Sequence, residues 1–198
     1  ILNQIEKIEV AIRAVISYEC SHSWGVFWLS DKNNFKSHSQ HTRDISKIFN
    51  EVNRSNELFI TNYKNKYIEE LPPSWMALEV CSFGSLSYIY SNLKGGRTKR
   101  NISQKFGLRD DVFVTWLHTL VYIRNTCAHH SRLWNKNLKI KATVPEHTSL
   151  NWIVNCYNID TRTQNRVHIK KRTYFILCML KYLLQSVNPS NSFKEKLC

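Results

Sequence analysis

The sequence predicts an all-α protein, a helical bundle of about five main helices, and three observations predict it. Only five glycines and four prolines occur among 198 residues, too few for a turn-rich β protein. Apolar residues recur at helical spacing along several long segments. Six tryptophans, nine tyrosines and nine phenylalanines supply the material of one proper core. Residues 1–198 therefore read as a single helical domain.

The first helix spans residues 1–22, with Ile1, Ile5, Ile8, Ile12 and Val15 on one stripe and Glu9 four residues before Arg13. It opens in mid-helix without an N-cap residue, so an upstream N-terminal region is expected. "SHSWGVFWLSDKNNF" breaks the period and reads as a loop with aromatic anchors. A second helix is expected over about Thr42 to Lys66. "LPPSWMALEVCSFGSLSYIYSNL" starts a third, entered at Pro72 and Pro73 with Ser74 as cap. "KGGRTKRN" reads as a glycine-broken basic loop, and "SQKFGL" as a short helix. Asp110 or Asp111 then caps a long helix that runs to about Trp134. "NKNLKIKATVPEHTSLNW" has no helical period, and a last helix is expected from about Gln164 to Val187.

The charge is strongly basic. Twenty-eight Lys and Arg face fifteen Asp and Glu, a net of +13. Such a surplus favours a polyanion, either nucleic acid or an acidic membrane surface, although a solvated basic surface also satisfies it. No apolar run reaches membrane-spanning length, and no signal peptide is visible. "TYFILCMLKYLL" is apolar but short and interrupted by Lys181, which suits a core helix. The six cysteines are scattered without a C-x-x-C pair, the pattern of a reducing cytoplasm rather than a disulfide framework.

Chemistry concentrates in "LVYIRNTCAHHSRLWN", residues 120–135. On a wheel of about 100° per residue, Phe113, Leu117, Leu120, Arg124 and Cys127 form an apolar stripe. His118, Asn125, His129 and Arg132 form a polar one. Arg124 thus stands where an aliphatic side chain is expected, and an unpaired guanidinium in a core is costly. Either a carboxylate meets it, or that face opens onto a cleft or a partner. Glu6 or Glu9 of the first helix is a candidate carboxylate, with pairing to Arg13 as the alternative and a solvated face as the simpler reading of both. RNA cleavage by its own 2′-hydroxyl needs a base, an acid and a holder for the phosphorane charge. Histidine suits the proton transfers, and arginine grips phosphate oxygens bidentately. One His and one Arg are thin for both transfers; two copies across a two-fold axis would suffice. The bland alternative is a structural His and an Arg–Asn pair bound to loop carbonyls.

At these residues the sequence resembles the abortive-infection proteins of the AbiD/AbiF type, bacterial anti-phage factors. "IEKIEVAIRAVISYE", "LPPSWMALEVCSFGSLSYIYSNL" and "TYFILCMLKYLL" resemble the other blocks of that family in the same order. The family is placed in the HEPN superfamily, whose ribonucleases carry Arg-x-x-x-x-His, often as Arg-Asn-x-x-x-His; here that is Arg124, Asn125 and His129. The resemblance implies a HEPN-like bundle. It also implies a metal-independent homodimeric endoribonuclease, without cofactor, that leaves a 2′,3′-cyclic phosphate and a 5′-hydroxyl. RNA is the expected substrate, and an RNA or protein antitoxin is a further candidate partner. His130 and Arg132 belong to the family's extended signature and are candidate accessory residues, with Glu6 and Glu9. A continued helix would point His130 about 100° from His129, so the two could not serve one scissile bond from one chain without distortion. Lys94, Arg97, Lys99 and Arg100 are the candidate contacts to the RNA backbone.

Two rival readings follow from the residues. "HSQH" at 38–41 has ligand spacing but no Asp, Glu or Cys partner at a typical distance, so no metal site is assigned. A non-catalytic RNA-binding or dimerisation module would bear the same bundle with a dead site.

Overall fold

A computed structural model describes residues 1–134, 138–139, 142–152, 157–159, 166–168 and 172–192. Among them are eight α-helices: α1 (Leu2–Trp24), α2 (His38–Arg54), α3 (Leu58–Lys66), α4 (Ser74–Val80), α5 (Phe83–Asn92), α6 (Arg97–Lys105), α7 (Asp110–Ala128) and α8 (Thr173–Val187). A 3-10 turn covers Lys32–Asn34, and two short strands, β1 (Tyr157–Ile159) and β2 (Arg166–His168), pair antiparallel with Tyr157 opposite His168. No helix among the described residues is long and apolar enough to cross a membrane.

The helix count exceeds the expected five main helices because two of them are each two and the short helix expected at "SQKFGL" is the end of α6. The one expected over 42–66 breaks at Ser55, whose backbone is extended (ψ 131°), and restarts after Glu57. The one expected from Pro73 breaks at Cys81 and Ser82, both extended. Ser82 Oγ then accepts the Ser85 N–H at 3.2 Å and caps α5. Ser74 is the first residue of α4 rather than its cap, and its hydroxyl accepts the Leu29 N–H at 3.0 Å. α7 begins with Asp110 and Asp111 inside its first turn, where carboxylates face the positive helix end, and Arg109 stands at the cap position. The last helix starts at Thr173, not near Gln164. Residues 166–168 are instead in β2, and Gln164 itself lies outside the described residues.

The chain divides into two compact units, Ala11–Ile102 and Ile1–Val10 with Ser103–Cys198. In the first unit, Ile12, Ile16 and Cys20 of α1 are fully buried, as are Ile48 and Val52 of α2 and Leu86, Ile89 and Tyr90 of α5. The 21–35 segment begins as the end of α1, then loops, and Trp28 and Phe35 anchor it in the core with rings 6.2 Å apart. In the second unit, Ile5 and Ile8 are buried, together with Phe113, Trp116, Leu117, Leu120 and Ile123 of α7 and Phe175, Ile176, Met179, Leu180 and Leu183 of α8. Each of these larger side chains stabilises by roughly 1.5–3 kcal/mol when taken from water. Tyr182 stands edge-on to Trp116 at 5.6 Å and donates to the Gly107 carbonyl at 2.8 Å. Gly107 has φ +65°, and a Cβ there would strike Ser149 and Tyr182. This packing holds α7, and with it the residues of the motif.

Candidate functional site at the end of α7

The helix that carries the motif stops sooner than its apolar period suggests. α7 ends at Ala128, and His129 is its C-cap with φ −89° and ψ 18°. That conformation lies in the sparsely populated bridge region, where many active-site residues sit. His130 follows at φ +51°, a left-handed residue. Its N–H donates to the Cys127 carbonyl at 3.0 Å, and the Ser131 N–H donates to the Thr126 carbonyl at 3.0 Å. This pair of bonds is the Schellman closure, which satisfies the last carbonyls of a helix. Gly or Asn normally marks such a stop; residue 130 is neither, so no residue pattern announces it.

Arg124, Asn125 and His129 share the last turn and the cap. The His129 N–H donates to the Asn125 carbonyl at 3.1 Å. Asn125 and His129 are exposed and Arg124 is half-buried. Arg124 continues the stripe of Phe113, Leu117 and Leu120, all fully buried, as the spacing predicted. Its Nε is buried without a hydrogen-bond partner. Its Nη1 reaches Asn125 Oδ1 at 3.4 Å, a long contact. No carboxylate among the described residues pairs with it. Glu6 is exposed and Glu9 half-buried.

Other groups nearby are less suited to reaction. Burial pushes the Cys127 thiol above its ordinary range, which disfavours a thiolate nucleophile. Desolvation holds the His118 imidazole below its ordinary range, although the residue as a whole keeps exposed surface. Arg132 and Trp134 lie beyond the helix, not on it, so Arg132 does not share the polar stripe of Asn125. Both are exposed. The Leu133 carbonyl between them accepts the Thr173 hydroxyl at 2.9 Å, which ties the segment to the start of α8.

The expected basic loop is largely helix, since α6 begins at Arg97 after the Gly95–Gly96 turn. Lys94, Arg97 and Arg100 are exposed, but Lys99 is 6% exposed. Its ammonium donates to the carbonyls of Ser91 at 2.9 Å and Leu93 at 3.2 Å and lies over the Tyr90 ring. Lys99 therefore closes the end of α5 and is withdrawn from the candidate RNA contacts. In "HSQH", His41 is buried, its Nε2 2.9 Å from the Leu29 carbonyl and its ring against Phe35. It serves the core, and His38 is exposed. No group of three or more His, Cys, Asp or Glu able to hold a metal gathers among the described residues.

Sequence reasoning missed an apolar groove of about 600 Å³ lined by Phe27, Tyr63, Tyr67 and Trp75. Ile68 close by in sequence is fully exposed. Nothing in the structure shows what covers this face.

The model of the Abi-like protein family matches residues 1–135, from the start of α1 through the whole motif. The chain belongs to the Abi-like protein family. The family is one of abortive-infection proteins. No curated protein and no solved structure matches the chain. In this Abi-like protein the matched span includes Arg124, Asn125, His129, His130 and Arg132, so the exposed helix end falls within the family's extent.

Proposed function

We propose that this Abi-like protein is a metal-independent endoribonuclease of the HEPN type, acting in bacterial anti-phage abortive infection. The observation that carries the reading is the end of α7. There, a guanidinium without a carboxylate partner, an exposed amide and an exposed imidazole stand within one helical turn and its cap. Arg124 holds the non-bridging oxygens of a phosphodiester and stabilises the charge that builds on the phosphorane. Asn125 orients the phosphate or the ribose. His129 moves a proton at the 2′-hydroxyl or at the leaving 5′-oxygen. The O2′–P bond forms as the P–O5′ bond breaks, giving a 2′,3′-cyclic phosphate and a 5′-hydroxyl. The net charge of +13 suits an RNA partner, with Lys94, Arg97 and Arg100 as candidate backbone contacts. A second copy across a two-fold axis would set the same residues opposite and enclose the phosphate, so a homodimer is the working assembly.

The test is cleavage of an end-labelled RNA in EDTA by the wild type and by His129→Ala. Alanine is a good helix former and His129 is exposed, so the fold should survive. Cleavage is expected to fall by about two orders of magnitude or more. Retention of RNA by the wild type without any cutting would favour the non-catalytic binding module instead.

A further inference from the structure

Left-handed backbone occurs at four described positions: Gly25, Gly96, Gly107 and His130. Glycine fills three of them because it has no Cβ to clash, and it is the favoured residue where a helix closes in a Schellman turn. At residue 130 the same turn carries an imidazole. The His130 ring is exposed and makes no hydrogen bond, ion pair or ring contact among the described residues. His41, by contrast, is buried, hydrogen-bonded and stacked. The His130 side chain thus gives the fold nothing in return for its backbone cost. Strain of this kind persists where function requires it. The reversal of hand also frees His130 from the direction that a continued helix would impose. Two successive imidazoles therefore occupy the cap and the residue just beyond it, at the end of the turn that carries Arg124 and Asn125.

We propose that His130 is a second catalytic residue of this helix end, forming with His129 the pair of proton-transfer groups for RNA cleavage. The inference rests on the ribonuclease reading. One imidazole, neutral, takes the 2′-hydroxyl proton as O2′ bonds to phosphorus. The other, protonated, gives its proton to O5′ as the P–O5′ bond breaks. The two rings end with their protonation states exchanged, and solvent restores them.

Two variants keep the left-handed turn and remove the ring: His130→Gly and His130→Asn. Both should melt at or above the wild-type temperature, yet cleave RNA roughly 100-fold more slowly or worse. A substrate whose scissile 5′-oxygen is replaced by sulfur needs no acid for its leaving group. On it, one of His129→Ala and His130→Gly, whichever lacks the acid, should regain most of its rate while the other stays slow. Wild-type cleavage by His130→Gly, with His129→Ala inactive, overturns the inference and leaves the ribonuclease reading standing. Normal cleavage by His129→Ala overturns that reading. A lower melting temperature in both His130 variants would show that the ring holds the fold, and a slow His130→Gly with neither variant rescued would show that it moves no proton; either result overturns the inference.

Discussion

Replacing Arg124 by methionine should make the protein more stable and inactive. Arg124 follows Phe113, Leu117 and Leu120 on one stripe, all three fully buried, while its Nε is buried with no partner. A buried donor left unpaired costs roughly 1–3 kcal/mol. Against this stands only the Nη1 contact to Asn125 Oδ1 at 3.4 Å, long and at an exposed site. Methionine keeps an unbranched apolar stem of similar length and a similar helix propensity. Since the guanidinium is only half covered, the expected net gain is at the low end, about 1 kcal/mol, or a melting temperature raised by about 2–4 °C for a chain of this size. Cleavage should meanwhile fall by roughly 10²–10³-fold, the cost of losing a donor to the developing phosphorane charge. Arg124→Lys keeps the charge without the planar fork and should also be strongly impaired. Thermal unfolding by circular dichroism, run beside the cleavage assay, reads both effects. A melting temperature lowered by several degrees in Arg124→Met would refute the reasoning, because it would make the guanidinium part of the scaffold.

Two further outcomes follow from buried charges. Lys99→Ala should lose about 2–3 kcal/mol of stability, because the ammonium bonds to two carbonyls at the end of α5, while the salt slope of RNA binding stays unchanged. Arg97→Ala should reduce that slope by about one unit; an unchanged melting temperature with a changed slope for Lys99→Ala would reverse its assignment. Asp44 is 2% exposed, its Oδ2 has no partner, and burial raises its carboxyl above the ordinary value. A folded-state value above the unfolded one contributes stability at low pH that is lost as pH rises through it, so ionised Asp44 is a liability at neutral pH. Asp44→Asn should therefore melt above wild type at neutral pH, with the gap closing toward about pH 4. A gap that widens on acidification would contradict this sign.

Helical periodicity made the core legible. Ile5, Ile8 and Ile12 were placed on one face by spacing alone and are fully buried, whereas Ile1 is exposed and Val15 half-buried, with Ile16 buried in its stead. The stripe through Phe113, Leu117 and Leu120 is buried as expected and continues to Arg124 and the half-buried Cys127. The breaks were harder to read. Ser82 competes for a backbone N–H and starts a new helix, but the apolar period runs straight across it. Residues 129–134 have apolar and polar residues in helical register, and the turn that ends α7 uses a histidine where a stop signal would be glycine. Lys99 read as a surface charge because its partners are backbone carbonyls, which no side-chain pattern reveals. Arg124, Asn125 and His129 were legible as a set because three residues of one turn and its cap are adjacent whatever the tertiary structure does. Arg132 was not, because its place depended on the helix continuing.

Two local rules of folding are broken within seven residues of this chain, at Arg124 and at His130; buried polar atoms without a hydrogen-bond partner also occur elsewhere among the described residues, Asp44 Oδ2 among them, but only here does one fall beside a non-glycine left-handed residue. Buried stripe positions before Arg124 are aliphatic or aromatic, and the described left-handed positions other than 130 are glycine. A sequence shaped by stability alone would carry methionine or leucine at 124 and glycine at 130. Natural chains depart from such choices chiefly at functional sites, where a strained or unpaired group is kept for its chemistry. The double variant Arg124→Met with His130→Gly tests this directly. The two positions act through different physics, an orphaned N–H and a Cβ in the left-handed region, so their effects should be close to additive. Relief of the left-handed Cβ adds roughly 1 kcal/mol to the gain at 124. The double variant should thus melt about 4–8 °C above wild type, by the same conversion, while cleaving no RNA. A double variant that is no more stable than wild type would mean that both residues belong to the architecture of the helix end, and the polar end of α7 would need another explanation.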